Sequence, residues 1–114
     1  MKLSEQQRKF TYMVGQLIAW AYANRYELTV GEAYRTPEQA QLNAKQRKEI
    51  AYSLHTQRLA IDLNLFLQGE YQTDSAASKP LSEFWESIGS SWGGRLNKPV
   101  GNHFSLGYQG GSNT

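Results

Sequence analysis

The sequence predicts an α+β fold, a small antiparallel sheet flanked by about three helices. Three observations carry that expectation. Apolar residues recur at helical spacing in some stretches and at period two in others. The clearest alternating run, LAIDLNLF, leads into a turn around Gly69 that closes a hairpin. The elements follow one another without an internal repeat.

Each element has its own signal. Phe10, Met13, Val14, Leu17, Ile18 and Ala21 recur at helical spacing, which predicts a helix over about 4–24. Ser4 followed by Gln7 resembles a capping box at its start. ELTVGEAYR predicts a strand near 27–34. Thr36-Pro37-Glu38-Gln39 is a helix start: a capping hydroxyl, proline at the first helical position and glutamine three residues after the cap. That helix runs to about Lys48 and is polar, so it belongs on the surface. The strand at 59–66 places Leu59, Ile61, Leu63 and Leu65 on one face, and Ala60, Asp62 and Asn64 on the other. Pro80 opens a third helix with Leu81, Phe84, Trp85 and Ile88 on one face. GGRLNKPVG is a loop, and NHFSLGY a last strand.

Composition narrows the class. With 114 residues, 39% of them apolar and 19% charged, the chain is one globular domain, expected over 1–108, with a frayed tail at 109–114. A net charge of +2, with no Lys/Arg stripe interleaved with aromatics, argues against nucleic acid as a partner. The run Lys45, Arg47, Lys48 reads as a solvated helix face, and Trp20, Trp85 and Trp92 as core. No cysteine is present, which excludes disulfides and thiolate metal sites. No apolar run is long enough for membrane insertion. Glu5, Gln6, Gln7, Arg8 and Lys9 interrupt the place where a secretory signal would have its apolar core, so synthesis in a cytoplasm without a signal peptide is expected.

The residues that do not read as ordinary structure are few. The chain has two histidines, His55 and His103, and two aspartates, Asp62 and Asp74. Asp62 lies mid-strand among apolar neighbours, where an ionised carboxylate is costly unless paired, hydrogen-bonded or metal-bound. His55 lies just before that strand, where a loop can fold it back toward Asp62. His103 begins the last strand. Two imidazoles and one carboxylate suit a catalytic zinc that keeps a fourth position open. Spacing alone leaves other readings open: a loop histidine at 55, a half-buried strand histidine at 103, and an Asp62 paired with Arg35 or Arg58. On the residues alone, Arg35 reads as a surface salt bridge with Glu32 or Glu38.

SLHTQRLAIDLNLF resembles the Ser-x-His-(x)6-Asp signature of the D-Ala-D-Ala carboxypeptidase and L-alanyl-D-glutamate endopeptidase family of zinc peptidases. EAYRTPEQA, WESIG, WGGR and GNHFSL are similar to motifs of its small phage endolysins, in the same order. The resemblance runs from the first helix to about Leu106. It implies a fold of the D-Ala-D-Ala metallopeptidase type, one Zn2+ held by His55, Asp62 and His103, and Arg35 as substrate anchor and oxyanion support. It implies Ser53 as a substrate contact and the peptidoglycan stem peptide as substrate. It also implies a monomeric phage lysis protein that waits in the host bacterial cytoplasm before release to the cell wall.

One position breaks the pattern. Members of the family carry an Asp or Glu three residues before the last histidine as general base, and here that position is Val100. Valine neither accepts nor donates a proton. Three readings follow: a carboxylate from elsewhere, Asp74, Glu83 or Glu86, takes the role; Val100 silences the enzyme; or the chain is a zinc-containing module that binds peptidoglycan peptide or a protein partner without cutting.

Overall fold

The computed structural model describes residues 2–47, 54–90, 99 and 101–107. Ser53, Val100, Trp92, Lys48 and the tail at 109–114 lie outside the described residues.

Helix α1 spans Leu3–Ala23 and buries Phe10, Met13, Leu17 and Ala21, the stripe expected from the spacing. Its start differs from the expectation. Lys2, in extended conformation, is the cap residue and makes no side-chain cap bond. Ser4 is already inside the helix, so its hydroxyl cannot reach the first free N–H groups; the Lys2 carbonyl takes Glu5 N and Gln6 N at 3.1 Å each. Arg25, at φ 68, turns the chain into β1, Tyr26–Val30.

Helix α2, Pro37–Arg47, starts where the capping motif puts it: Thr36 Oγ1 accepts from Gln39 N at 3.1 Å. Among its described side chains only Ala40 is buried, in keeping with a surface helix. A short 3-10 turn, Leu54–Gln57, and Arg58 at φ 57 then lead into β2, Ala60–Leu67. Gln68 and Gly69 both have positive φ, the requirement of a two-residue hairpin, and connect to β3, Glu70–Tyr71. A second 3-10 turn, Ser75–Ser78, precedes α3, Lys79–Ser90. The last strand, β4, is His103–Ser105.

The sheet is antiparallel with β2 at its centre. Strand β1 runs along it from Tyr26 opposite Leu67 to Val30 opposite Leu63. Strand β3 pairs with its far end and β4 with its start, setting Asp62 opposite His103. The core joins Leu63 and Leu65 of β2 to Met13 and Leu17 of α1, Leu81 and Trp85 of α3, and Phe104 of β4. Trp85 packs edge-on against Phe10 and Phe104 at 5.7 Å each, and its indole N–H donates to Ser105 O. Trp20 stacks on Phe84 at 5.0 Å, so both described tryptophans act in packing, as expected. Burial leaves the opposite face of β2, with Asp62 and Asn64, half-open. Among the described residues no helix is long and apolar enough to cross a membrane.

Candidate metal centre

Three separate pieces of chain bring His55, Asp62 and His103 together. The 3-10 turn does the first part. Leu59 N donates back to Leu54 O at 3.0 Å, and left-handed Arg58 makes that reversal sterically feasible. His55 is thereby folded over the start of β2 and buried to 1% exposure.

Strand register does the second part. Both backbone groups of Asp62 face the segment after β1: Gly31 N donates to Asp62 O, and Asp62 N to Glu32 O, at 2.8 Å each. Toward β4, Asp62 and His103 therefore form a pair without mutual backbone bonds, the closer type in an antiparallel ladder. Leu63 N to Asn102 O, 2.9 Å, supplies the neighbouring rung. Gly101, at φ 55, makes the turn that delivers His103 to this position.

The result is a compact donor set. One nitrogen of each imidazole and one carboxylate oxygen all lie within 4.8 Å of one another. Asp62 Oδ1 is 3.0 Å from His103 Nδ1 and 3.5 Å from His55 Nε2. Donor atoms sharing a tetrahedral zinc at 2.0–2.2 Å stand roughly 3.4 Å apart, so these separations fit one. His55 Nδ1 lies 3.0 Å from Ala33 O, which holds the proton on that nitrogen and turns Nε2 toward the cluster. His103 Nε2 is buried and has no hydrogen-bond partner among the described residues.

The electrostatics of the metal-free group follow from the same contacts. Burial pushes His55 down, but the carboxylate of Asp62 outweighs it, helped by Ala33 O and Glu32, so its pKa lies above the usual 6.5. Burial likewise opposes ionisation of Asp62, yet the contacts with His103 and His55 hold its carboxyl well below the usual carboxylate range. Both shifts have one cause, a carboxylate held against two imidazoles.

The alternatives left open by spacing resolve as follows. Arg58 lies over the Tyr34 ring at 4.1 Å. Arg35 pairs with Glu32, through Nε to Oε2 at 3.2 Å and Nη2 to Oε1. This is a half-buried forked pair, not a loose surface bridge: the Arg35 side chain is 11% exposed. Glu32 is the residue that sequence reasoning missed as a member of the site. Its Oε1 is also 3.7 Å from His55 Nε2, so it links Arg35 to the candidate metal cluster. The only signal was its place three residues before Arg35. Asp74 caps the second 3-10 turn, accepting from Ala76 N at 2.9 Å, while Glu83 and Glu86 lie on α3.

Residues 46–106 match the model of a family described as D-alanyl-D-alanine carboxypeptidase. The chain belongs to that family. The matched span carries His55, Asp62 and His103 and begins after Arg35. No curated protein matches the chain. Among solved structures, the L-Ala D-Glu endopeptidase ChiX of Serratia marcescens is similar, with a TM-score of 0.72 and 13% identity over 93% of this chain and 86% of that one. At that identity the likeness shows a shared fold alone.

Proposed function

We propose that the protein is a zinc-dependent peptidase of the peptidoglycan stem peptide, of the L-alanyl-D-glutamate endopeptidase type. The observation that carries this reading is the convergence of His55, Asp62 and His103 on one point at the open face of β2. A zinc ion held there supplies Lewis acidity toward a peptide carbonyl.

The chain's own residues supply the rest. Ala33 O fixes the tautomer of His55, and the ladder fixes Asp62 against His103. Arg35 binds a substrate carboxylate or the oxyanion that forms on the attacked carbonyl, for which a forked, permanently charged guanidinium is suited. Glu32 holds that guanidinium in place through two bonds. The motif resemblance supports Ser53 as a further contact to the substrate. At Val100 the chain offers no group to move a proton, and general acid–base groups supply roughly 10² to 10⁴ in rate. Turnover is therefore slow. The motif resemblance supports the finer reading of a phage lysis protein.

Elemental analysis of purified protein and release of free amino termini from cell walls, with and without a chelator, test the reading. One zinc per chain and chelator-sensitive release are expected. A protein that takes up no zinc overturns it. Zinc without release, together with saturable binding of wall peptide, would favour the second reading that Val100 prompts, a silent binding module.

A further inference from the structure

The face of β2 that carries Asp62 continues at Asn64, two residues on and about 6.7 Å away. Asn64 Oδ1 accepts from Asn102 Nδ2 at 3.1 Å, and Asn102 immediately precedes His103. These two amides therefore stand beside the donor set, one on β2 and one in the turn before β4. They line a cleft of about 180 Å³ together with Gln72, Thr73, Asp74 and Ser75. Amides and hydroxyls dominate the lining, and among the described residues that line it Asp74 is the one charged group. Its Oδ1 accepts from Ala76 N at 2.9 Å, which restrains the carboxylate.

A cleft of this kind admits polar groups, attracts a cation and repels an anion. An extended peptide advances about 3.3 Å per residue, so a chain held at the metal cluster reaches the cleft two residues later. Building on the reading of this site as one that takes peptides, we propose that the cleft is a substrate subsite. It receives a side chain ending in a primary ammonium, which hydrogen-bonds to Asn64 and Asn102 and pairs with Asp74.

The test uses the zinc-loaded protein and two probes, the peptide L-Ala-γ-D-Glu-L-Lys and its Nε-acetyl form, with Kd measured by calorimetry in low salt. The free amine is expected to bind roughly two- to fivefold tighter, the range of an exposed ion pair. Asp74→Asn keeps the turn capped, because asparagine caps as well as aspartate. It is expected to erase the difference between the probes while zinc content stays at the wild-type value. Equal Kd values for the two probes in the wild type, or a preference that survives Asp74→Asn, overturns the subsite and leaves the peptidase reading standing. Failure of both probes to bind overturns the two together.

Discussion

Gly31 is the place where one methyl group interrogates the proposed metal centre without altering a proposed ligand's chemistry. A Cβ there would stand 3.3 Å from Asp62 Cβ and 3.3 Å from Asp62 O. Carbon contacts are comfortable at about 3.5–4.0 Å, so Gly31→Ala has to part this segment from β2 by a few tenths of an ångström. The two 2.8 Å bonds that clamp Asp62, Gly31 N to Asp62 O and Asp62 N to Glu32 O, stretch with it. Overpacking of this order destabilises by about 1–3 kcal/mol. Asp62 also shifts against His55 and His103, and disturbing the supports of a metal ligand lowers affinity about 10- to 100-fold. The expected outcome is zinc affinity at least about tenfold below wild type, read by competition with a chromogenic chelator, together with a lower urea midpoint for the zinc-free protein. Wild-type zinc affinity beside a clear loss of stability would show that this backbone clamp does not position Asp62.

Gly15 is the matched control: exposed in α1, with nothing within 4 Å of an added Cβ, so Gly15→Ala should stabilise by about 0.5–1 kcal/mol and leave zinc affinity alone. A fall in Tm would contradict the packing described for α1. Val100→Asp restores a proton-transferring group and should raise cell-wall hydrolysis at least about tenfold; equal rates in both forms would place the base elsewhere. Glu32→Gln weakens the hold on Arg35, and kcat/KM for a stem peptide should fall about fivefold with zinc content unchanged, whereas loss of zinc would make Glu32 part of the metal site itself. For the zinc-free protein, pH separates the two titrating groups. His55, with its pKa above 6.5, contributes stability that is present below that value and fades as pH rises through the higher folded one. Asp62, with a lowered pKa, contributes stability that is present above 3.8 and is lost in strong acid. Urea unfolding should therefore find the group most stabilising between about pH 4 and 6.5, and stability that still climbs above pH 7 would refute the assignment.

Most of the fold was legible because its signals are local. The Thr36-Pro37 start of α2, the Gln68-Gly69 hairpin and the apolar stripes of α1 and α3 depend on neighbours a few residues away. The misplaced cap at Ser4 shows the limit of such reasoning: a capping motif matters only where the backbone has not yet entered the helix, and here that point came at Lys2. The predicted strand at 27–34 stops at Val30, because beyond it the chain trades regular pairing for the two bonds that clamp Asp62.

By itself the sequence determined which side chains could do chemistry here. Two histidines and a mid-strand aspartate are scarce residue types in costly places, and scarcity can be read along a line. What only the tertiary structure decided is distance: the register that sets Asp62 against His103, the reversal that folds His55 above them, and the approach of Glu32 to both Arg35 and His55. The Asp62–His103 contact alone joins residues 41 positions apart, and no local propensity encodes it. These contacts follow from burying one face of β2 under the helices, which leaves the other face, and the charges on it, to one another.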